Sequence, residues 1–123
     1  MKVGFVIEAR LPRRLPNGRE QEGLRPCIVV SNPATIGWQR YPTLLVVPLT
    51  TATGKWVAKG KNLYCTYKAN QGGLGEDSVA MFDQTQVIDV TRIMGKLGEL
   101  SSSELEPVRA GMRAIFADLL EVV

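Results

Sequence analysis

The sequence predicts a mostly β protein (α+β), built as a small SH3-like barrel or a strongly bent antiparallel sheet with one C-terminal helix. Short apolar runs rich in Val, Ile and Leu recur through the first three quarters of the chain, and glycine, proline or asparagine separates them, as is typical of strands. After residue 100 the apolar spacing becomes helical. With 123 residues, the chain is expected to form one domain over 1–123.

Three strands are predicted in the first half of the chain, over residues 2–9, 26–31 and 43–49. The continuous apolar run of the third strand indicates burial on both of its faces. Pro26 is expected to open the second strand and Pro48 to end the third, because proline has no N–H to donate in the middle of a sheet.

The second half of the chain is expected to hold shorter strands, over residues 63–67, 78–82, 86–90 and 93–94, with the last two at an edge. Before them, residues 52–61 form a basic, glycine-punctuated loop around Trp56. An aromatic side chain among lysines is suited to stacking on a single-stranded base. The alternative is a hairpin loop whose Trp56 folds back onto the core.

The C-terminal segment is predicted to be an amphipathic helix, in which Ser101 and Glu104 stand at capping-box spacing. Its apolar residues fall on one face, at positions 105, 108, 112, 115, 116, 119 and 120. Pro107 disfavours helical geometry at the preceding residue, so the first turn is expected to be irregular or the helix to start late. Gly111 weakens the helix by about 1 kcal/mol and would permit close approach to the sheet or to another subunit.

Charge is distributed unevenly along the chain. Residues 1–68 hold 11 Lys/Arg and 3 Asp/Glu, whereas residues 69–123 hold 4 Lys/Arg and 9 Asp/Glu. A first half at +8 suits a polyanion partner, although such asymmetry can also serve solubility alone. The loop 10–24 carries several of these arginines, and its length and prolines are typical of a functional lid.

Composition excludes several classes of site. The chain has no histidine, and its two cysteines, Cys27 and Cys65, lie in apolar strands, so we interpret them as small buried hydrophobes. No ligand cluster suggests a metal, and no cofactor is expected. The longest apolar run is about one strand long, and no signal peptide is recognisable, so the expected location is cytoplasmic, without membrane association.

Two positions at predicted strand ends carry groups that can bind phosphate. Arg25 stands where the loop meets the second strand, and its guanidinium fork suits a phosphate; the alternative is an ion pair with Glu20 or Glu22 that closes the loop. Thr50 and Thr51 follow the third strand, where their hydroxyls can donate to a phosphate oxygen. Threonines that merely favour β structure are the alternative there.

Three motifs resemble a known family. Residues 18–26 have the pattern Gly-Arg-Glu-Gln-x-Gly-x-Arg-Pro and precede an apolar strand, which is similar to the opening signature of the MazF/PemK toxins of toxin–antitoxin modules. Two further matches are Pro-Leu-Thr-Thr at 48–51 and Asp-Ser-Val-Ala-Met-Phe-Asp-Gln at 77–84. Their order and spacing agree with the family and cover most of the chain.

The resemblance implies a sequence-specific, metal-independent endoribonuclease that cuts single-stranded RNA, mRNA included, to 2′,3′-cyclic phosphate and 5′-OH ends. It implies that Arg25 transfers a proton and stabilises charge, and that Thr50 donates a hydrogen bond to the transition-state phosphate. The plasmid-type branch pairs an Asp, matched by Asp83, with an Arg two residues earlier, where this chain has Met81. This departure favours Arg25 and Thr50.

Further polar positions match the family or its motifs and are candidate substrate-binding residues: Arg19, Glu20, Gln21, Asn32, Thr51, Ser78, Asp83 and Gln84. Single-stranded RNA exposes base edges to such groups. Several could instead stabilise loops and turns through backbone hydrogen bonds.

The resemblance also implies a homodimer with RNA in a groove across its interface. A cognate antitoxin is expected to insert an acidic, disordered C-terminal segment into the same groove. One alternative is a non-enzymatic, gyrase-binding toxin like CcdB, but residues 120–123 do not match the Trp-Gly-Ile tail of that family. Another is an inactive SH3-like binding module.

Overall fold

A strongly bent, seven-stranded antiparallel sheet followed by one long helix makes up the computed structural model, which describes residues 1–121. The strands are β1 (Phe5–Leu11), β2 (Gly23–Ser31), β3 (Thr43–Thr50), β4 (Tyr64–Tyr67), β5 (Ser78–Met81), β6 (Gln86–Asp89) and β7 (Ile93–Glu99). The helices are α1 (Trp56–Lys59) and α2 (Ser102–Ile115). The predicted fold class is confirmed, in its bent-sheet form rather than as a closed barrel.

The sheet bends around β3. Its strand order is β4-β5-β3-β2-β1-β7, with β6 also paired to β3. One edge of β3 pairs with β2, while the other pairs first with β6, over 43–46, and then with β5, over 49–50. Within residues 1–121, no helix is long and apolar enough to cross a membrane.

Both faces of the sheet are buried at β3, as the apolar run of that strand predicted. One face packs under α2, and its cluster includes Val6, Ile28, Val47, Leu49, Phe82, Leu105 and Val108. The opposite face is enclosed by the bend, and its cluster includes Ile7, Ala9, Leu11, Cys27, Val29, Leu44, Val46 and Ile88. Alternate residues of β2 and β3 therefore belong to different clusters.

The two prolines do not bound strands as predicted. Pro26 lies inside β2, next to Cys27, at which the pairing of β2 with β3 stops. Pro48 lies inside β3. It follows Val46, the last residue of β3 that pairs with β6, and precedes Leu49, the first that pairs with β5. At each proline, strand pairing is interrupted on one edge of the strand that holds it. The missing proline N–H therefore costs no hydrogen bond on that edge.

Two other predictions of local structure were wrong. The loop 52–61 contains the short helix α1, and the strand predicted at 93–94 extends to Glu99. The Gly-Lys-Leu-Gly composition of β7 is not typical of a strand, but pairing with β1, which includes two register shifts, imposes the extended conformation.

Helix α2 begins as predicted. The Ser101 hydroxyl accepts a hydrogen bond from the Glu104 N–H at 3.2 Å, and the Glu104 carboxylate accepts one from the Ser101 N–H at 2.8 Å. The hydrogen bond from the Ser101 backbone N–H to its carboxylate lowers the pKa of Glu104. The irregular start expected from Pro107 is not observed, because this exposed proline removes only the single hydrogen bond to the carbonyl of Ser103.

Gly111 lets α2 approach the sheet closely, since a Cβ at this position would overlap the ring of Phe82. Alanine is the better helix former by about 1 kcal/mol, yet we expect Gly111→Ala to lower the free energy of unfolding by about 1–3 kcal/mol through overpacking. Denaturant unfolding measures the change. The Ala110→Gly variant, at an exposed neighbouring position of α2, measures the effect of helix propensity alone. A stabilised Gly111→Ala variant would contradict the packing argument.

Candidate active site

The β2–β3 ladder ends two residues short of both Arg25 and Thr50. Its last pair is Cys27 with Pro48, in antiparallel register. Continued by two residues on each strand, this register would set Arg25 opposite Thr50, with both side chains on one face of the sheet. The pairing stops at Cys27, so the two candidates flank the point at which the strands separate.

Arg25 does not form the ion pair considered above. Its Nε donates to the backbone carbonyl of Glu22 at 3.2 Å, and neither the Glu20 nor the Glu22 carboxylate lies within 4.0 Å of its guanidinium. Within residues 1–121, the remaining guanidinium N–H groups have no protein acceptor. The half-buried side chain is therefore oriented by one bond and keeps four donors for an anion.

Thr50 remains in the sheet rather than emerging from it, because it pairs with Val79 of β5. Its side chain is nearly buried, and its hydroxyl accepts a hydrogen bond from the Ala52 N–H at 3.1 Å. That bond orients the oxygen and leaves the hydroxyl proton to be donated. Thr51, by contrast, is exposed.

A polar cleft of about 260 Å³ adjoins this point. We call it the hydroxyl cleft, and it is lined by Thr51, Thr53, Thr66, Tyr67, Lys68, Asp77, Ser78 and Val79. Ser78 is buried and donates to the Glu76 carbonyl at 2.9 Å. Thr66 and Lys68 were missed by the sequence analysis, because only the pairing of β4 with β5 brings them beside Ser78.

A larger cleft of about 590 Å³ has Arg25 in its lining. We call it the arginine cleft, and it is lined by Arg10, Leu11, Arg13, Glu22, Gly23, Arg25 and Arg92. Ala9 pairs with Ile93 between β1 and β7, which places Arg10 beside Arg92. The sequence analysis missed Arg92 because its neighbours along the chain form no motif.

Two hydrogen bonds join the loop between β1 and β2 to the segment that connects β5 to β6 and to the start of β6. Its Gln21 N–H donates to Gln84 Oε1 at 3.2 Å, and Arg14 Nη2 donates to Gln86 Oε1 at 2.9 Å. Gln21 Oε1 is buried and accepts no hydrogen bond from residues 1–121. Gln21 and Gln84 are thus brought together, while Arg19 and Glu20 are exposed on the loop.

Asp83 and Asn32 lie away from this cluster within the subunit. The Asp83 carboxylate accepts a hydrogen bond from the Tyr64 hydroxyl at 2.9 Å, which raises the pKa of Tyr64. Trp56 packs edge-to-face on Tyr64, with 4.8 Å between ring centroids, so this half-buried indole folds back onto the sheet. Asn32 caps the turn after β2, and its side-chain amide donates to the Met1 carbonyl. It follows Arg25 by seven residues, which is about 23 Å along an extended strand.

Neither cysteine has the properties of a nucleophile. Both are free thiols; Cys27 is buried as predicted, and Cys65 is only half-buried. Burial raises the pKa of Cys27 to about 12, despite the opposing charge of Arg25. Among residues 1–121, no group of three or more His, Cys, Asp or Glu side chains is placed to hold a metal ion.

The family prediction can be compared with known proteins. A family model described as PemK-like, MazF-like toxin of type II toxin-antitoxin system matches residues 2–116. The chain belongs to this family. The toxin is 29% identical over 101 residues to Endoribonuclease EndoA of Bacillus subtilis (strain 168), a match that covers 81% of this chain and 82% of EndoA.

Solved structures of MazF from Deinococcus radiodurans share the fold of the toxin. The form I crystal structure has a TM-score of 0.72 and 24% identity, and the match covers 95% of this chain and 96% of that one. The form II crystal structure of MazE-MazF has a TM-score of 0.67 and 23% identity with the same coverage. The predicted family and fold are therefore both confirmed.

Proposed function

We propose that the toxin is an endoribonuclease that cleaves single-stranded RNA through attack of the 2′-OH, without a bound metal, leaving 2′,3′-cyclic phosphate and 5′-OH ends. The observation that carries this proposal is that Arg25 and Thr50 both lie two residues beyond the last β2–β3 pair, and that within residues 1–121 each keeps donors without a protein acceptor. Membership of the toxin family and the endoribonuclease named among its relatives support the activity class.

Cleavage places additional negative charge on the oxygens of a five-coordinate phosphorus. Arg25 donates to these oxygens through its free N–H groups, and Thr50 adds one donor from the opposite strand. Guanidinium groups keep their proton in proteins, so stabilisation of charge is the main role of Arg25. A transient proton transfer through Arg25 is the second role we propose, because the chain has no histidine for this step.

We assign the neighbouring polar residues to RNA binding. The hydroxyl cleft, with Thr51 and Ser78, is suited to the hydrogen-bonding edge of a base. Gln21 offers a buried acceptor that has no donor within residues 1–121, and its backbone N–H donates to Gln84. Arg19 and Glu20, which lie on the loop between β1 and β2, would close over the bound RNA strand. Asn32 and Asp83 are retained as proposed contacts, to be tested by substitution and mapping of cleavage sites.

Thr50→Val is expected to lower kcat/KM for RNA cleavage by about 10²-fold, because it removes one donor to the transition-state phosphate while preserving side-chain shape. Cleavage of a long unstructured RNA in EDTA measures this effect. Thr50→Ser, which keeps the hydroxyl, should retain most of the activity.

Thr43→Val at the opposite end of β3 provides the matched control for Thr50→Val. A folded Thr50→Val variant that cleaves at the wild-type rate would remove Thr50 from the mechanism. Were the folded wild type inert on every RNA tested, the endoribonuclease proposal would fail, and gyrase binding would become the next test.

We also propose that the toxin is a homodimer in the cytoplasm, where its mRNA substrate is found, and that a cognate antitoxin blocks it with an acidic segment. The solved MazE-MazF complex supports an antitoxin partner, and the surplus of Lys/Arg in residues 1–68 supports an acidic one. Light scattering measures the oligomer. A peptide of Glu and Asp that fails to inhibit cleavage at low salt would argue against the acidic segment.

A further inference from the structure

The arginine cleft gathers positive charge from four separate places in the chain. Arg10 comes from β1, Arg13 from the loop that follows it, Arg25 from β2 and Arg92 from the turn before β7. The β1–β2 and β1–β7 ladders bring three of these residues together, since Ala9 pairs with both Arg25 and Ile93. The cluster is therefore built by the rigid sheet.

This charge is not neutralised by the protein itself. The three ion pairs within residues 1–121 join Lys96 to Glu99 and Arg109 and Arg113 to Glu106, so none includes an arginine of the cleft. Glu22 is the one acidic residue of the lining, and its Oε2 already accepts a hydrogen bond from the Arg14 N–H at 2.9 Å. Unpaired like charges in one concavity repel each other and attract an anion.

The loop segment that carries Arg13 is anchored by hydrogen bonds of its neighbour. The neighbouring Arg14 donates from its backbone N–H to Glu22 and from its guanidinium to Gln86. These two bonds join the two ends of the loop and tie the loop to β6. The backbone that carries Arg13 is thereby anchored beside the cleft.

We propose that the arginine cleft is a second phosphate subsite, in which Arg13, Arg92 and Arg10 hold backbone phosphates of RNA adjacent to the cleaved bond. This rests on the proposed function. Arg25 itself lines the cleft, so an RNA strand with its reacting phosphate at Arg25 would place a neighbouring phosphate in the cleft. Guanidinium forks match phosphate oxygens, and the cleft is open enough for a polymer to pass.

The test is the salt dependence of RNA binding by Arg13→Gln/Arg92→Gln. A short RNA that is 2′-O-methylated throughout serves as the probe, because it lacks the nucleophile and binds without being cut. Each phosphate contact on a single strand contributes about 0.7 to the slope of log Kd against log salt. We therefore expect the double variant to lower the slope by about 1.4 and to raise KM for cleavage of long RNA more than it changes kcat.

The control is Arg109→Gln/Arg113→Gln, which removes the same charge from exposed positions of α2. An equal change of slope in the two double variants would overturn the subsite, since only net charge would then matter. An unchanged slope would also overturn it. Arg13→Lys/Arg92→Lys keeps the charge without the fork, so it should retain the slope while binding RNA more weakly than the wild type.

Two further results separate the subsite from the activity. Wild type that binds the methylated RNA with the expected slope but cuts no RNA would refute the endoribonuclease and leave the subsite intact. If the Gln variant keeps its RNA slope but loses affinity for a poly-glutamate peptide, the occupant is a protein carboxylate and the RNA assignment fails. Absence of RNA binding by wild type would refute both proposals.

Discussion

Arg25→Ala is expected to lower kcat/KM for RNA cleavage by about 10²–10³-fold, equivalent to about 2.7–4 kcal/mol of transition-state stabilisation. Arg25 has four N–H donors without an acceptor in residues 1–121, and the chain has no histidine that could take its place. The substitution should leave the fold intact, because the single bond lost within the protein is that from Nε to the Glu22 carbonyl. Cleavage of unstructured RNA in EDTA, with end-group analysis, measures the loss.

Two variants sharpen the Arg25 experiment. Arg25→Lys keeps a charge but loses the fork, so it should recover only part of the activity, whereas Arg109→Ala on α2 should cleave at the wild-type rate. The same thermal midpoint in all variants would establish that each is folded. A folded Arg25→Ala protein with activity within threefold of wild type would place the chemistry elsewhere.

Local rules predicted the elements whose determinants lie close together in the chain. The capping box at Ser101 and Glu104 requires only four consecutive residues, and it starts α2 as predicted. The apolar run of β3 indicated burial on both faces, because no polar residue interrupts it. Arg25 and Thr50 were identified by motif, and each lies two residues beyond the last pair of the β2–β3 ladder.

Pairing between strands that are distant in the sequence determined the features that local sequence rules could not predict. Pro26 and Pro48 lie within strands, because their neighbours on one edge of the ladder change at those positions. Arg92 enters the arginine cleft only because β7 pairs with β1 across most of the chain length. Asn32 and Arg25 are close in sequence, but an extended strand carries them to opposite ends of β2.

Phe82→Ala is expected to lower the free energy of unfolding by about 3–5 kcal/mol, the usual cost of truncating a buried aromatic residue. Phe82 is 2% exposed and belongs to the cluster that joins the sheet to α2, together with Leu49, Leu105 and Val108. Its ring fills the space left by the missing side chain of Gly111. Urea unfolding followed by circular dichroism gives the change, and Phe116→Ala at the more exposed end of α2 should cost far less.

The contact between Phe82 and Gly111 makes the two substitutions interdependent. Alone, Gly111→Ala places a methyl group against the ring and should destabilise the fold, but in a Phe82→Ala background the same methyl group enters a cavity. Its cost should then fall or reverse, which gives a coupling free energy of about 0.5–3 kcal/mol in a double-mutant cycle. Additive effects of the two substitutions on the free energy of unfolding would show that α2 does not pack against the Phe82 ring at this point and that Gly111 has another role.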